Sequence, residues 1–557
     1  MARIHVTVSL SVLLAVAGLQ SACVHCYVTG VGEEEGPVVT TRYGKIQGLY
    51  ADNATLFLGV PFAAPPVGSL RWEAPQDSKS WGENVYNATT YKPACPQFHC
   101  ETLSPPLVCH KKMAEDCLYL DIYGPRLTSA SGLPVMVMIH GGNFVHMSGS
   151  SPIFDGRYLA SSREIILVNI NYRMGALGFL VTGETTNDAR GNYGIQDQVM
   201  ALKWVQENIH AFGGDPSKVT LFGQSAGAQS TLIHLTLPES APYFRNAIVE
   251  SSPIAIPYKR FPEAIILGGL FAELVGCQPR NMNCLRSKSA NEITYAQYLA
   301  RSKVSSLKLL EFFEPWGPFV DGQFIKAEPL ALIREGQFSR KPLIIGTTSE
   351  ETVLYVYSAW NTSVNNVLYG EVIVATYPGH AVEIIYMYPP SYPRDERDTM
   401  VKMSTDLVFL CPTRNATRIM RASGVSDVWM YVWDHAFSFQ GWGPITFCEG
   451  RVCHGSEIVF LFHTEAKGNF TFTPEEKVLS EEIMDFWTNF AKTGDPNNPG
   501  RNSTGNKSGR SATALQWPVY AQDGDWPAFR FKTPASIIDT NYHGPYCDFW
   551  DTIGYAA

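Results

Sequence analysis

Apolar runs recur along this chain at the lengths typical of strands. Those at residues 134–139, 165–173, 219–222, 246–252, 343–346 and 428–433 have apolar centres, the pattern of strands covered on both faces. Between the second and third runs, residues 195, 199, 202, 205 and 209 are apolar at helical spacing, and FGGDP at 212–216 ends that helix. This order predicts an α/β fold whose mostly parallel sheet places ligands at the carboxyl ends of its strands.

The flanking regions follow other patterns. Residues 38–59 read as short β segments with glycine turns, residues 261–310 are mostly helical and are expected to form a cap or side region, and residues 481–491 predict a C-terminal helix. Residues 497–512 are rich in Gly, Asn and Ser, which is typical of a loop. No internal repeat is evident.

The first residues have the three parts of a secretory signal peptide. A charged start at Arg3 precedes an apolar run from about residue 6 to residue 19, and small residues follow. We therefore expect a signal peptide over about residues 1–22 and a mature chain over residues 23–557. No second apolar run has the length of a spanning helix, and the last residues carry neither a retention signal nor an anchor tail. We therefore expect the protein to be secreted and extracellular.

The composition fits a globular protein in that compartment. Charged residues make up 17% of the chain and hydrophobic ones 45%, with a net charge of -9 and no block of Lys or Arg, so neither a nucleic acid nor an anionic membrane is expected as a partner. Twelve cysteines suit an oxidising environment, but their spacing leaves the connectivity open. Sequons for N-glycosylation occur at Asn53, Asn87, Asn361, Asn415, Asn469, Asn502 and Asn506.

A candidate nucleophile lies where the third apolar run ends. The run leads into Gly223-Gln224-Ser225-Ala226-Gly227 and then into a pattern that can continue as a helix, which together form the strand, turn and helix of a nucleophile elbow. The two glycines permit a strained turn that exposes the Ser225 hydroxyl. Because such a pentapeptide is common by chance, its interpretation depends on chemistry elsewhere in the chain.

Two further segments supply that chemistry. The run at 134–139 ends in His140-Gly141-Gly142, where adjacent glycines can turn backbone N–H groups toward a neighbouring site as an oxyanion hole. A serine nucleophile also needs an imidazole base and an orienting carboxylate, in the chain order Ser, acid, His. Glu351 and His454 satisfy this order. Thirteen histidines compete for the base role, and the late position of His454 after a glycine-rich loop favours it.

Four motifs ahead of the elbow carry a resemblance to a known family. They are EDCLYL at 115–120, NYRMGALGF at 171–179, GNYGIQDQ at 191–198 and FGGDP at 212–216. With the elbow, they resemble the type-B carboxylesterase and cholinesterase family over about residues 36–550. The resemblance implies a single α/β-hydrolase domain over residues 23–557, with a large, mostly parallel central sheet flanked by helices.

The resemblance also implies hydrolysis of small-molecule carboxylic esters through an acyl-enzyme, with no cofactor and no metal. It implies Ser225 as nucleophile, Glu351 as acid and His454 as base. The implied oxyanion donors are the amides of Gly141, Gly142 and Ala226. Glu350 is the rival acid, but the family pattern places the acid second in the acidic pair. Thr352 stands where the family frequently has Gly, which leaves the local turn open.

For the cysteines, the resemblance suggests three disulfides: Cys95 with Cys117, Cys277 with Cys284, and Cys411 with Cys547. The remaining Cys100, Cys109, Cys448 and Cys453 could pair locally, 100 with 109 and 448 with 453, or be free thiols. The second local pair would brace the loop before the candidate base. Two further pairs, Arg71 with Glu115 and Arg173 with Asp197, resemble the buried ion pairs of the family. Their expected role is to stabilise the scaffold.

Two positions argue against choline esters. Cholinesterases carry Glu before the nucleophile and a Trp in the first disulfide loop that faces the quaternary ammonium. This chain has Gln224, and residues 95–117 contain no Trp. The expectation is a secreted carboxylesterase that is not choline-specific. The alternative is a non-catalytic, cholinesterase-like adhesion or binding protein, but such members typically lose the nucleophile or the base. Acyl preference, alcohol preference and oligomeric state do not follow from the sequence.

Overall fold

The computed structural model describes residues 34–100, 104–126, 132–301, 314–391, 395–500, 515–521 and 524–555. The predicted signal peptide, the last part of the predicted cap, most of the predicted loop at 497–512, and the sequons at Asn502 and Asn506 lie outside these ranges. Among the helices of the described ranges, none combines the length and the apolar character that crossing a membrane requires.

Thirteen of the described strands form one sheet. The strands are β1 (Glu34–Thr41), β2 (Gly44–Ala51), β3 (Ala54–Pro61), β4 (Gly82–Asn87), β5 (Tyr119–Pro125), β6 (Leu133–Ile139), β7 (Ile166–Ile170), β8 (Gly214–Gln224), β9 (Asn246–Glu250), β10 (Lys259–Arg260), β11 (Phe319–Val320), β12 (Leu343–Thr348), β13 (Val428–Trp433), β14 (Pro527–Phe531) and β15 (Ile537–Thr540). Their order is β1-β2-β3-β5-β7-β6-β8-β9-β12-β13-β14-β15, with β4 beside β2, while β10 and β11 pair separately.

The middle of the sheet is parallel. All pairs from β7 through β6, β8, β9, β12 and β13 to β14 run in the same direction. The strands β1, β2, β3 and β5 on one side and β15 on the other pair antiparallel. The predicted fold class, a large and mostly parallel sheet flanked by helices, is confirmed.

Helices connect the strands. They are α1 (Arg157–Arg163), α2 (Gly175–Phe179), α3 (Tyr193–Asn208), α4 (Ala226–Thr236), α5 (Phe261–Leu274), α6 (Met282–Ser287), α7 (Ala290–Arg301), α8 (Pro329–Arg334), α9 (Val353–Ala359), α10 (Asn366–Thr376), α11 (Ala381–Met387), α12 (Arg397–Thr405), α13 (Cys411–Ala422), α14 (Ile458–Phe462), α15 (Pro474–Thr493) and α16 (Gly544–Ile553). A single π turn, Asp406–Leu410, joins α12 to α13.

The central strands alternate between two cores, as strands covered on both faces must. On β6, Val135 and Val137 pack in the core that includes residues of α3 and α4. Met136 and Met138 pack in a second core with residues of α1 and α15. Helices α5, α6 and α7 form the predicted side region, and they pack with residues of α2 in another core.

The predicted C-terminal helix differs in two respects from the structure. First, the helix begins at Pro474 rather than near residue 481, because Thr473 and Glu476 form a capping box. Second, it is not the last helix, because α16 follows it along the chain. In that box, the Glu476 amide donates to the Thr473 hydroxyl at 3.2 Å, and the Thr473 amide donates to the Glu476 carboxylate at 2.9 Å.

Ten cysteines lie within the described residues and form five disulfides, the same five that the sequence analysis sets out. They are Cys95–Cys117, Cys100–Cys109, Cys277–Cys284, Cys411–Cys547 and Cys448–Cys453. The Arg71–Glu115 and Arg173–Asp197 ion pairs are also present.

Five of the sequons lie within the described residues. Asn53, Asn87, Asn361 and Asn469 are exposed. Asn415 is half-buried, and its side-chain amide donates to Asp551 at 2.7 Å. Glycosylation of Asn415 would therefore have to replace an existing hydrogen bond.

Candidate active site

Four parallel strands of the central sheet end at one edge and bring the predicted site residues together. Gly141 and Gly142 follow β6, Ser225 follows β8, Glu351 follows β12, and His454 lies in the long loop after β13. Because β6, β8, β12 and β13 are parallel members of one sheet, their carboxyl ends meet at the same side. All five residues are buried.

The turn at Ser225 is strained and needs its glycines. Ser225 has φ 60° and ψ -123°, a left-handed backbone that an ordinary side chain rarely adopts and that costs about 1–3 kcal/mol. Its amide donates to the carbonyl of Glu250 at 2.9 Å, which fixes the turn against β9. A Cβ on Gly227 would lie 1.9 Å from the carbonyl oxygen of Ile139, and one on Gly223 would lie 2.5 Å from the Gly227 backbone. The close approach of α4 to β6 therefore requires glycine.

Glu351 and His454 form a direct pair. Oε2 of Glu351 lies 2.5 Å from Nδ1 of His454, and Oε1 accepts a hydrogen bond from the Thr348 amide at 2.7 Å. Nε2 of His454 lies 3.1 Å from the side-chain nitrogen of Gln224, which can only donate. Nε2 is therefore an acceptor and the ring proton is on Nδ1. This is the tautomer that can take a proton from a serine.

A tyrosine lies beside the Ser225 side chain. Among the hydrogen bonds of the described residues, none joins Ser225 to His454, and the side chain of Tyr355 lies close to that of Ser225. Burial, and then the nearby charge of Glu351, raises the pKa of Tyr355, so this residue remains a phenol. Hydrogen bonds of catalytic groups commonly tighten only when substrate is bound.

Two aromatic residues beside the candidate base were not predicted from the sequence. The ring of Tyr355 lies 5.9 Å from that of His454, and the ring of Phe409 lies 5.3 Å from it. Tyr355 is four residues after Glu351, on α9, so its position one helical turn beyond the acid was a usable signal. Phe409 lies on the π turn and had no such signal.

The loop after β6 is held in one conformation. The ring of His140 stacks on Tyr172 with centroids 4.5 Å apart, and its Nδ1 lies 2.9 Å from the carbonyl oxygen of Gly141. Burial lowers the pKa of His140 to about 4, so the ring is neutral and Nδ1–H donates to that carbonyl. Within the described residues, the amides of Gly141, Gly142 and Ala226 find no hydrogen-bond acceptor. These three donors are available to an oxyanion.

Glu350, the rival acid, belongs to a brace around the base. Its carboxylate accepts from the Arg451 guanidinium at 2.6 Å and from the Val452 amide at 2.9 Å. The disulfide between Cys448 and Cys453 closes the same short loop directly before the candidate base. Glu350 therefore has its charge satisfied away from the imidazole.

The turn that the sequence left open begins α9 at Thr352. Its φ of -95° is ordinary for any residue, so no glycine is needed there. The Thr352 hydroxyl donates to the carbonyl of Val401 at 2.9 Å and lies 2.7 Å from the hydroxyl of Ser404, which ties the acid's turn to α12.

Two more carboxyl groups are buried behind the site. Burial raises the pKa of Glu250 to about 8 and that of Glu457 to about 8, and the proximity of Glu250 adds to the second shift. Glu250 accepts a hydrogen bond from the indole of Trp487 at 2.6 Å. Burial therefore favours the neutral form of both groups, which limits the negative charge beside His454.

Ser225, Gln224 and His454 open into a cavity of about 660 Å³. Its described walls contain no Asp, Glu, Lys or Arg side chain. Ten of the lining residues are Phe, Tyr or Trp, among them Phe98, Tyr298, Trp316, Phe437, Phe439 and Trp442. Such a cavity suits an uncharged, apolar ligand. In the described part of the chain, no three His, Cys, Asp or Glu side chains cluster as the ligands of a metal ion would.

The chain is similar to known proteins over most of its length. A model of the carboxylesterase family matches residues 35–550. The cAMP-regulated D2 protein of Dictyostelium discoideum is 38% identical over 466 residues, which cover 83% of this chain and 85% of that protein. The cholinesterase of Mus musculus is 33% identical over 93% of this chain and 87% of its own length. The crystal structure of a carboxylesterase of Geobacillus stearothermophilus superposes with a TM-score of 0.77 at 31% identity, covering 92% of this chain and 99% of that one.

Proposed function

Since the chain belongs to the carboxylesterase family, we propose that it is a secreted serine hydrolase of neutral carboxylic esters whose triad is Ser225, His454 and Glu351. The observation that carries the proposal is the Glu351–His454 contact of 2.5 Å, which orients an imidazole that lines the same cavity as the elbow serine. Glu350 is excluded from the acid's role here because its charge is paired with Arg451.

In the proposed mechanism, Nε2 of His454 takes the proton of the Ser225 hydroxyl as the oxygen attacks the ester carbonyl. The negative charge that develops on the carbonyl oxygen is stabilised by hydrogen bonds from the three unpartnered amides of the oxyanion loop and the elbow. His454 then protonates the leaving alcohol, and Glu351 stabilises the imidazolium throughout. Water activated by His454 releases the acid from the acyl-enzyme.

Choline esters are excluded from the proposed substrates. A quaternary ammonium is recognised by aromatic faces and a nearby negative charge. The residue before the nucleophile is the neutral Gln224, and none of the described residues that line the cavity is acidic. A neutral ester with apolar substituents fits these walls better than a cation does.

Secretion is part of the proposal and is supported by the five disulfides, which persist in oxidising compartments. Expression of the full chain in insect cells tests it: the protein is expected in the medium, with an N-terminus near residue 23. Retention in the cells with an intact N-terminus would contradict this part.

The catalytic proposal is tested by assaying the purified chain on p-nitrophenyl acetate and p-nitrophenyl butyrate beside Ser225→Ala. Removal of a triad member typically lowers kcat by about 10⁴-fold or more, so the contrast is large. Ser162→Ala is the matched control, because this exposed serine of α1 only donates to the carbonyl of Tyr158 at 2.6 Å. Equal rates for the wild type and Ser225→Ala would refute the proposed chemistry and favour a non-catalytic binding protein.

A further inference from the structure

Four aromatic rings stack in succession along one wall of the cavity. They follow the order Trp442, Phe437, Phe439, Phe470, with centroids 5.1, 4.8 and 4.8 Å apart and planes inclined by 12°, 11° and 21°. All four residues line the cavity that contains Ser225 and His454. We call this set the aromatic stack.

The surrounding chain holds the aromatic stack in place. A Cβ on Gly441 would lie 2.8 Å from the rings of both Phe437 and Phe439, so only glycine fits between them. Ser438, which separates the two phenylalanines, is fixed by Glu476: its amide donates to that carboxylate at 2.9 Å and its hydroxyl at 2.6 Å. The stack is therefore a preformed surface.

The arrangement decides which part of the rings a ligand meets. Phe437 and Phe439 each have a stacked neighbour on both faces, so they reach the cavity through their edges. Ring edges carry partial positive charge and attract the negative face of another π system. A planar aromatic group lying flat against these edges gains that attraction, whereas a saturated group of the same size gains only burial and a cation is repelled.

The loop that carries three rings of the stack also carries the candidate base. Trp442, Phe437 and Phe439 belong to the same loop as His454, between β13 and α14. In the proposed mechanism, His454 delivers its proton to the oxygen of the leaving alcohol, so that oxygen and its substituent must lie next to the imidazole. Resting on that mechanism, we infer that the aromatic stack is a specificity site for the alcohol part of the ester, and that the preferred alcohols carry an aryl group.

The test compares benzyl acetate with cyclohexylmethyl acetate, which differ mainly in aromaticity. The kcat/KM for each ester is divided by the rate constant for its hydroxide-catalysed hydrolysis, which corrects for intrinsic reactivity. The ratio of the two corrected values does not depend on the concentration of active enzyme. The wild type is expected to prefer the benzyl ester by about 2- to 10-fold, the range of one aromatic pair. Phe439→Leu and, independently, Phe437→Leu are expected to bring the ratio close to one.

Phe447→Leu is the matched control. Phe447 lines the same cavity but stacks on Tyr357 at 5.7 Å, outside the aromatic stack, so the ratio is expected to stay at the wild-type value. No preference in the wild type, an unchanged ratio in both leucine variants of the stack, or an equal loss in Phe447→Leu would each overturn the inference.

Two additional measurements separate this inference from its premises. Methyl phenylacetate and methyl cyclohexylacetate place the same groups on the acyl side, and an aromatic preference confined to that pair would overturn the assignment to the alcohol side. If the wild type hydrolyses no ester, the proposed function fails. The aromatic stack can then still be tested by calorimetry, which measures how tightly Ser225→Ala binds benzyl acetate and cyclohexylmethyl acetate. The same measurement is made on the double variant that also carries Phe439→Leu. The inference predicts tighter binding of the benzyl ester only when Phe439 is present.

Discussion

Replacing Glu351 with Gln tests the proposed acid most directly, because Glu350 allows the same chemical change one residue away. Glu351→Gln keeps the size of the side chain and removes its charge. The Glu351 carboxylate is fully buried and accepts hydrogen bonds from His454 Nδ1 at 2.5 Å and from the Thr348 amide at 2.7 Å. Glu350 is half-exposed and pairs with Arg451 instead.

The magnitude follows from the tautomer. A Gln side chain that keeps its oxygen on the Thr348 amide presents its NH₂ group to His454, which forces the ring proton from Nδ1 to Nε2 and blocks proton transfer from Ser225. The comparable Asp→Asn change in a serine protease triad lowers kcat by about 10⁴-fold, which corresponds to about 5.5 kcal/mol in the activation barrier. We expect Glu351→Gln to lower kcat by about 10³- to 10⁴-fold.

The control substitution, Glu350→Gln, is expected to lower kcat much less. After Glu350→Gln, Arg451 keeps its contact with Asp398 at 2.7 Å, so the change removes one partly exposed ion pair, worth about 1 kcal/mol of stability. We expect kcat to fall by less than about threefold and the melting temperature by less than about 4 °C.

The assay is hydrolysis of p-nitrophenyl butyrate at saturating substrate, with protein concentrations set by active-site titration and folding checked by thermal melting. The reasoning is refuted if Glu351→Gln retains more than about a tenth of the wild-type kcat, or if Glu350→Gln loses as much activity as Glu351→Gln while remaining folded.

Three other predictions concern backbone geometry, pH and the brace around the base. Gly227→Ala is expected to abolish activity and destabilise the fold, because the new Cβ would lie 1.9 Å from a carbonyl oxygen of β6. The control is Gly269→Ala in the open interior of α5, which is expected to raise the free energy of unfolding, measured in urea melts, by about 0.5–1 kcal/mol. Equal effects of the two substitutions would contradict this prediction. Because the pKa of Glu457 is raised, the folded chain keeps the carboxyl proton of this residue up to about pH 8, whereas the unfolded chain releases it near pH 4.5. Glu457 therefore lowers the free energy of unfolding as the pH rises from about 5 to 8. Glu457→Gln is expected to reduce this pH dependence of the free energy of unfolding, measured by denaturant titrations at several pH values. A slope identical to that of the wild type would count against the shift. Joint replacement of Cys448 and Cys453 by Ser is expected to cost about 2 kcal/mol of stability and to lower kcat, and an unchanged kcat would show that the disulfide does not position the base.

Local patterns predicted the central elements well. The apolar runs coincide with β6, β7, β8, β9, β12 and β13, and the helical spacing at 194–212 corresponds to α3 and the 3₁₀ turn that follows it. The predicted start of α15 near residue 481 is too late, because the helix already begins at Pro474. The capping residues Thr473 and Glu476 mark its true start in the sequence itself.

Contacts between distant segments could not be predicted in this way. Gln224 meets His454 across 230 positions of the chain. Phe470 completes the aromatic stack from beyond α14, and its partner Phe439 comes from the loop after β13. Phe409 reaches the imidazole from a π turn that no periodicity indicated. Such neighbours are set by how the loops pack over the sheet.

By itself, the sequence determined the fold class, the family and the candidate catalytic groups, because strand and helix periodicity, the glycine elbow and the order Ser, acid, His can be read from the chain itself. Only the tertiary structure decided how those groups are arranged. Parallel strands bring their carboxyl ends together, so Glu351 pairs with His454, Glu350 pairs with Arg451, and the proton of the imidazole is on Nδ1. The aromatic stack likewise exists only in the folded chain, because its rings come from loops that become neighbours when the sheet and its helices pack.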